Sequence, residues 1–79
     1  GSDREIYINQ VLIRGSTVYN HDELKKFFEP YIGRKVRLSD ALAAANEITK
    51  KYNNDGYILS TATIDQDRIS RGILAVNIQ

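Results

Sequence analysis

The sequence predicts an α+β fold in the order β-α-α-β-β, a three-stranded mixed sheet with two helices packed on one face. Three observations carry that expectation. Apolar residues recur at helical spacing in two blocks, Leu24 to Tyr31 and Leu42 to Tyr52. They alternate at strand spacing towards both ends, in Ile6 to Ile13 and Ile73 to Ile78. Between the second helical block and Tyr57 lies Asn53-Asn54-Asp55-Gly56, which supplies the glycine that a helix C-terminus often needs.

The first strand-like stretch is Ile6 to Ile13. Ile6 and Ile8 share one phase, and Val11 and Ile13 the other. The change at Asn9-Gln10 implies either a bulge or a strand that begins only at Val11. Gly15-Ser16-Thr17 breaks the pattern. Asn20 is the predicted cap of the first helix, with Glu23 three residues on as its capping-box partner. Leu24, Phe27, Phe28 and Tyr31 then form one apolar helical face. Proline disfavours helical geometry in the residue before it, so Pro30 should end the helix near Glu29. Tyr31 and Ile32 follow in a short turn closed by Gly33.

Ser39 is the predicted N-cap of the second helix, with Asp40 in its positive first turn. Leu42, Ala45, Ile48, Thr49 and Tyr52 make its core face, and the neighbouring alanines permit close packing. Gly56 should stop this helix at positive φ, where glycine has no steric penalty. Tyr57 to Ile64 reads as the next strand and carries no charge. Ile58, Ser60, Ala62 and Ile64 are predicted to meet the helices, with Tyr57, Leu59, Thr61 and Thr63 opposite. Asp65 to Arg71 is a polar connector. Gly72 reopens a strand whose core face is Leu74, Val76 and Ile78.

At 79 residues the chain holds one domain, which buries roughly 60–65% of the surface its unfolded form exposes. The formal net charge of +1 names no partner. Cysteine is absent, which removes disulfides and thiolate metal sites. No apolar run is longer than Ala41 to Ala45, far short of a membrane span. Gly1-Ser2 reads as a cloning scar, and residues 3–79 as one domain cut from a longer chain. Membrane association would then run only through the parent.

Catalysis finds little support. The single histidine, His21, stands at the start of the first helix, and no cysteine exists for Cys/His chemistry. No catalytic residue, metal or cofactor is expected, and Asp65 and Asp67 read as a polar turn. Basic residues gather at Arg34-Lys35-Val36-Arg37 and at Arg68 and Arg71. A basic loop between two helices resembles the KH module of RNA-binding proteins. That module needs two glycines around its loop; only Gly33 is present, so nucleic acid is not the expected partner. The uncharged strand from Tyr57 is more informative. Two strands of a three-stranded sheet are edges, and a charge-free, β-prone edge can pair with an incoming extended chain unless another part of the parent covers it.

The pattern resembles a POTRA (polypeptide-transport-associated) domain, most closely the periplasmic POTRA of a two-partner secretion transporter of the hemolysin and filamentous-hemagglutinin exporter family. The resemblance runs from about Val11 to Ile78. It rests on Val11-Leu12-Ile13-Arg14-Gly15-Ser16-Thr17, on Glu23-Leu24, and on Pro30 through Asp40. It continues in Ile48-Thr49-Lys50-Lys51-Tyr52, Gly56-Tyr57-Ile58 and Ile69-Ser70-Arg71-Gly72-Ile73-Leu74. Asp65 stands where relatives usually carry proline, and Asp67 where they carry glutamine.

The resemblance implies a noncatalytic periplasmic module ahead of an outer-membrane β-barrel in a Gram-negative bacterium. Its partners would be an unfolded or extended exoprotein client, the barrel, and any neighbouring POTRA of the same chain. The client would pair with the edge strand over Tyr57, Ile58, Leu59, Ser60, Thr61, Ala62 and Thr63. Gly15, Leu24, Phe27, Phe28, Tyr52, Gly56 and Gly72 would hold the fold. The alternative is a structural spacer that docks only on its own barrel or a neighbouring domain.

Overall fold

The computed structural model describes residues 3–15 and 18–79. The expected scar at Gly1-Ser2 and the strand break at Ser16-Thr17 lie outside the described residues. The first strand-like stretch is two strands in two sheets, β1 (Glu5–Ile8) and β2 (Gln10–Arg14). The phase change is therefore a switch of partner rather than a bulge or a late start. The Gly72 carbonyl causes the break: it accepts both Asn9 N–H (2.7 Å) and Gln10 N–H (3.0 Å). Because the chain changes sheets between Ile8 and Val11, both phases are buried, with Ile6, Ile8, Val11 and Ile13 all in one core.

Helix α1 is short, His21–Lys25, and continues as a 3-10 segment over Lys26–Tyr31 that contains Pro30. The α-helix thus ends earlier than Glu29, and the tighter winding carries the chain through the proline. Asn20 caps α1 through its side-chain oxygen, which accepts Asp22 N–H at 2.8 Å. Glu23 does not close a box with Asn20; its carboxylate stands 3.8 Å from Lys51 Nζ. Leu24 and Phe28 are fully buried, and Phe27 and Tyr31 pack at the core's margin. Each fully buried side chain of this size contributes about 1.5–3 kcal/mol by leaving water.

The basic segment Arg34–Arg37 is a strand, β3, not a loop between helices. It pairs antiparallel with β1, Ile6 opposite Val36 and Tyr7 opposite Lys35. That pairing answers the resemblance to an RNA-binding loop: the backbone is spent on β1 and Val36 is buried. Helix α2 follows at once, Leu38–Asn54. Its N-cap is Arg37 rather than Ser39, with the Arg37 N–H donating to the Asp40 carboxylate at 3.0 Å. Ser39 is instead held from outside, its N–H and hydroxyl donating to Asp3 at 2.9 and 2.7 Å. Those two bonds, the hydroxyl's first, keep the Asp3 carboxyl below its usual pKa.

The three-stranded mixed sheet has the order β2-β5-β4, with β4 at Ala62–Ile64 and β5 at Ile73–Ile78. Central β5 runs parallel to β2 and antiparallel to β4. Leu74, Val76 and Ile78 point to the helices, as their alternation predicts, and join Ala62 and Ile64 from β4. From α2 they meet Ala41, Ala45, Ile48 and Tyr52. Leu42 was expected on this face and is 39% exposed. The true stripe runs Leu38, Ala41, Ala45, Ile48, Tyr52, one position back at its start. The β1–β3 ribbon closes one end of the core with Ile6, Ile8 and Val36.

Candidate functional site

The seam from α2 to β4 is built from the backbone outward. Gly56 has φ +99°. Its N–H bonds the Asn53 carbonyl (3.1 Å), and the Tyr57 N–H bonds the Tyr52 carbonyl (2.9 Å). These are the two bonds of a Schellman stop, with glycine in the left-handed position. The apolar contact that accompanies the motif is also present. Tyr57 stacks edge-on against Tyr52, ring centroids 6.1 Å apart. Tyr52 is 2% exposed and takes a second edge-on ring, Tyr19, at 4.7 Å. Burial raises the pKa of the Tyr52 hydroxyl.

Polar groups fasten the same seam at the surface. The Tyr19 hydroxyl donates to the Asp55 carboxylate, and Lys51 Nζ stands 4.5 Å over the Tyr19 ring. Lys51 also lies within 4 Å of Asp55 and Glu23. Asp55 accepts the Tyr19 proton, so it pushes the Tyr19 pKa up to about 12.

The predicted strand Tyr57 to Ile64 is mostly not a strand. Only Ala62–Ile64 is, and residues 57–60 form a turn in which the Ser60 N–H bonds the Tyr57 carbonyl at 3.1 Å. Thr61 and Gln79 exchange backbone bonds of 3.1 and 2.9 Å. Before Thr61 the backbone turns on itself, held by the Asn53 carboxamide, which donates to the Tyr57 carbonyl (3.0 Å) and the Ser60 carbonyl (3.3 Å). Ile58 was expected to face the helices and instead stands at the turn's tip. Tyr57, Ile58 and Leu59 are 44%, 74% and 90% exposed. The seven residues expected to bind an extended chain therefore divide in two. Tyr57 to Ser60 form a turn with an exposed apolar tip, and Thr61 to Thr63 lie along the sheet edge.

Two residues that sequence reasoning placed elsewhere complete the edge. Thr49 was assigned to the core face; its hydroxyl donates to the Ala45 carbonyl (3.4 Å) and accepts the Ala62 N–H (2.9 Å). Asn53 was read as part of a turn. Their i, i+4 spacing beside the apolar stripe was the available signal.

Among the residues expected to hold the fold, Leu24, Phe28 and Tyr52 are core, and Phe27 borders it. Gly15 has φ +105°, and a Cβ there would overlap the Ile78 carbonyl oxygen. A Cβ at Gly72 would come to 2.8 Å from the Asn9 Cβ.

Comparison with known proteins agrees with this architecture. The sequence profile of the POTRA domain, ShlB-type, matches residues 6–79. The heme/hemopexin transporter protein HuxB of Haemophilus influenzae strain 86-028NP is 33% identical over 67 residues, covering 85% of this chain and 12% of that protein. HuxB of strain ATCC 51907 is 31% identical over the same length. The chain thus spans about an eighth of the curated relatives it matches. Among solved structures, CdiB from Escherichia coli superposes with a TM-score of 0.82 at 19% identity, over 98% of this chain and 14% of that one. The N-terminal domain of Omp85 from Thermosynechococcus elongatus gives 0.80 at 24% identity, over 92% and 31%. These two likenesses show the fold. With the profile match across nearly its whole length, the chain belongs to the ShlB-type POTRA family.

Proposed function

We propose that this domain is a noncatalytic, protein-binding module of an outer-membrane β-barrel transporter, working in the periplasm. It receives an extended segment of an exoprotein client by strand pairing and passes it to the barrel. Its attachment to the outer membrane runs through the parent chain. The likeness to HuxB, a heme/hemopexin transporter protein, supports the placement. The observation that carries the binding mode is the outer edge of β4. Because Thr61 and Asp65 turn their N–H groups to β5, the two-residue alternation of the ladder turns those of Ala62 and Ile64 away from the sheet. A client strand laid there gains main-chain hydrogen bonds that do not depend on its sequence. This sharpens the site to Ala62–Ile64 and releases Tyr57 to Ser60 from strand pairing.

A second reading has its own observation. The turn Tyr57-Ile58-Leu59 presents three consecutive exposed hydrophobic residues, which suits docking on a neighbouring domain or the barrel. Amide spectra of the domain, titrated with a blocked, uncharged peptide of alternating threonine and valine, test both. Pairing at the edge predicts that the Ile64 and Ala62 amides shift and exchange more slowly. Shifts confined to Tyr57–Leu59, or none, would overturn the edge reading.

A further inference from the structure

The outer edge of β4 is partly occupied by the domain itself. Two of its outward groups are taken by side chains from one ridge of α2. Asn53 donates to the Ser60 carbonyl and Thr49 accepts the Ala62 N–H. The match is one of periods. Four helical residues rise about 6 Å, and two strand residues about 6.6 Å, so helix and strand stay in step. Asn53 meets Ser60 and Thr49 meets Ala62, and the next residue at that spacing, Ala45, has no polar side chain to offer Ile64. No hydrogen bond among the described residues ends on the outward Ile64 N–H. The ladder of side chains therefore covers two rungs and leaves the third open.

We propose that Thr49 is a placeholder for the backbone of an incoming strand, while Asn53 holds the turn beside it. Docking is then an exchange: an extended, uncharged polypeptide segment pairs first at Ile64 and next displaces the Thr49 hydroxyl from the Ala62 N–H. This rests on the edge-pairing reading above and adds to it the residue that sets how far pairing extends. The arrangement has a physical rationale. An unpaired edge invites self-association, and a buried unpaired N–H costs free energy. A side-chain hydroxyl satisfies the group in the free domain and yields it to a competing carbonyl. Thr49 also keeps its bond to the Ala45 carbonyl, so it has a second partner when displaced. Thr49 acts here as a positioning residue.

The test uses this 79-residue chain with Thr49→Val, which keeps the shape and removes the hydroxyl, and Thr49→Ser, which keeps the hydroxyl. In the free protein, hydrogen exchange at the Ala62 amide should quicken in the valine variant and stay at the parent rate in the serine variant. The alternating threonine–valine peptide should bind the valine variant about three- to tenfold more tightly than the other two, the range one net hydrogen bond allows. An unchanged Ala62 exchange rate in Thr49→Val overturns the placeholder role. Equal peptide affinity for parent and Thr49→Val overturns it too, and leaves edge pairing standing. If no form binds the peptide, the edge-pairing reading falls and takes the exchange with it.

Discussion

Two seams of this domain make opposite use of the same materials. At the two ends of the seam between β2 and β5, backbone meets backbone. One carbonyl, from Gly72, takes two N–H groups, and Gly15 lies so close to Ile78 that a Cβ has no room. At the seam between α2 and β4, side chains finish what the backbone stop at Gly56 begins. Asn53 and Thr49 hold the turn and the edge, and nothing lies within 4 Å of a Cβ built on Gly56. The first seam joins the parallel pair of the three-stranded sheet and has no slack at Gly15. The second leaves an apolar turn and a partly open edge at the surface. Both glycines have φ near +100°, so the difference lies in their surroundings and not in their backbone.

The comparison can be broken most directly at Gly15. Gly15→Ala adds a clash with the Ile78 carbonyl to the cost of positive φ, and should destabilise by more than about 2 kcal/mol. A denaturant midpoint close to the parent's would show that the first seam can relax. Gly56→Ala carries only the conformational cost, about 1 kcal/mol. A loss as large as that at Gly15 would mean the two seams are equally tight.

The smallest effect is expected at alkaline pH. Tyr19 titrates at about 12 in the folded chain, because its hydroxyl donates to Asp55, against about 10 unfolded. A raised folded pKa means the contribution is complete below pH 10 and is lost as pH rises towards 12. Thermal scans should show a shallow fall across that window. It should become shallower in Tyr19→Phe, which keeps only the contribution of the buried Tyr52 hydroxyl.

The local features were legible in the sequence because local chemistry makes them. Gly56 stops α2 with bonds reaching no further back than Tyr52, and Asn20 caps α1 from two residues away. Periodicity placed Leu74, Val76 and Ile78 in the core. The misplacements fall where a partner is distant in sequence. Nothing in Arg34–Arg37 by itself announces a strand; β1 makes it one. Leu42 and Thr49 were read into the core because a helical stripe known only by spacing can rotate by one position.

The sequence alone determined the α+β class, the order of the main elements, the helix stop at Gly56, and most of the core. The tertiary structure decided that the first strand divides between two sheets, and that β4 is only three residues long. It also decided that α2 lends side chains to the β4 edge. The reason is that a helix satisfies its own backbone, while a strand exists only as far as its partner runs. Here β4 pairs with β5 over Ala62–Ile64, while the Asn53 side chain holds Tyr57 to Ser60 in a turn outside the sheet.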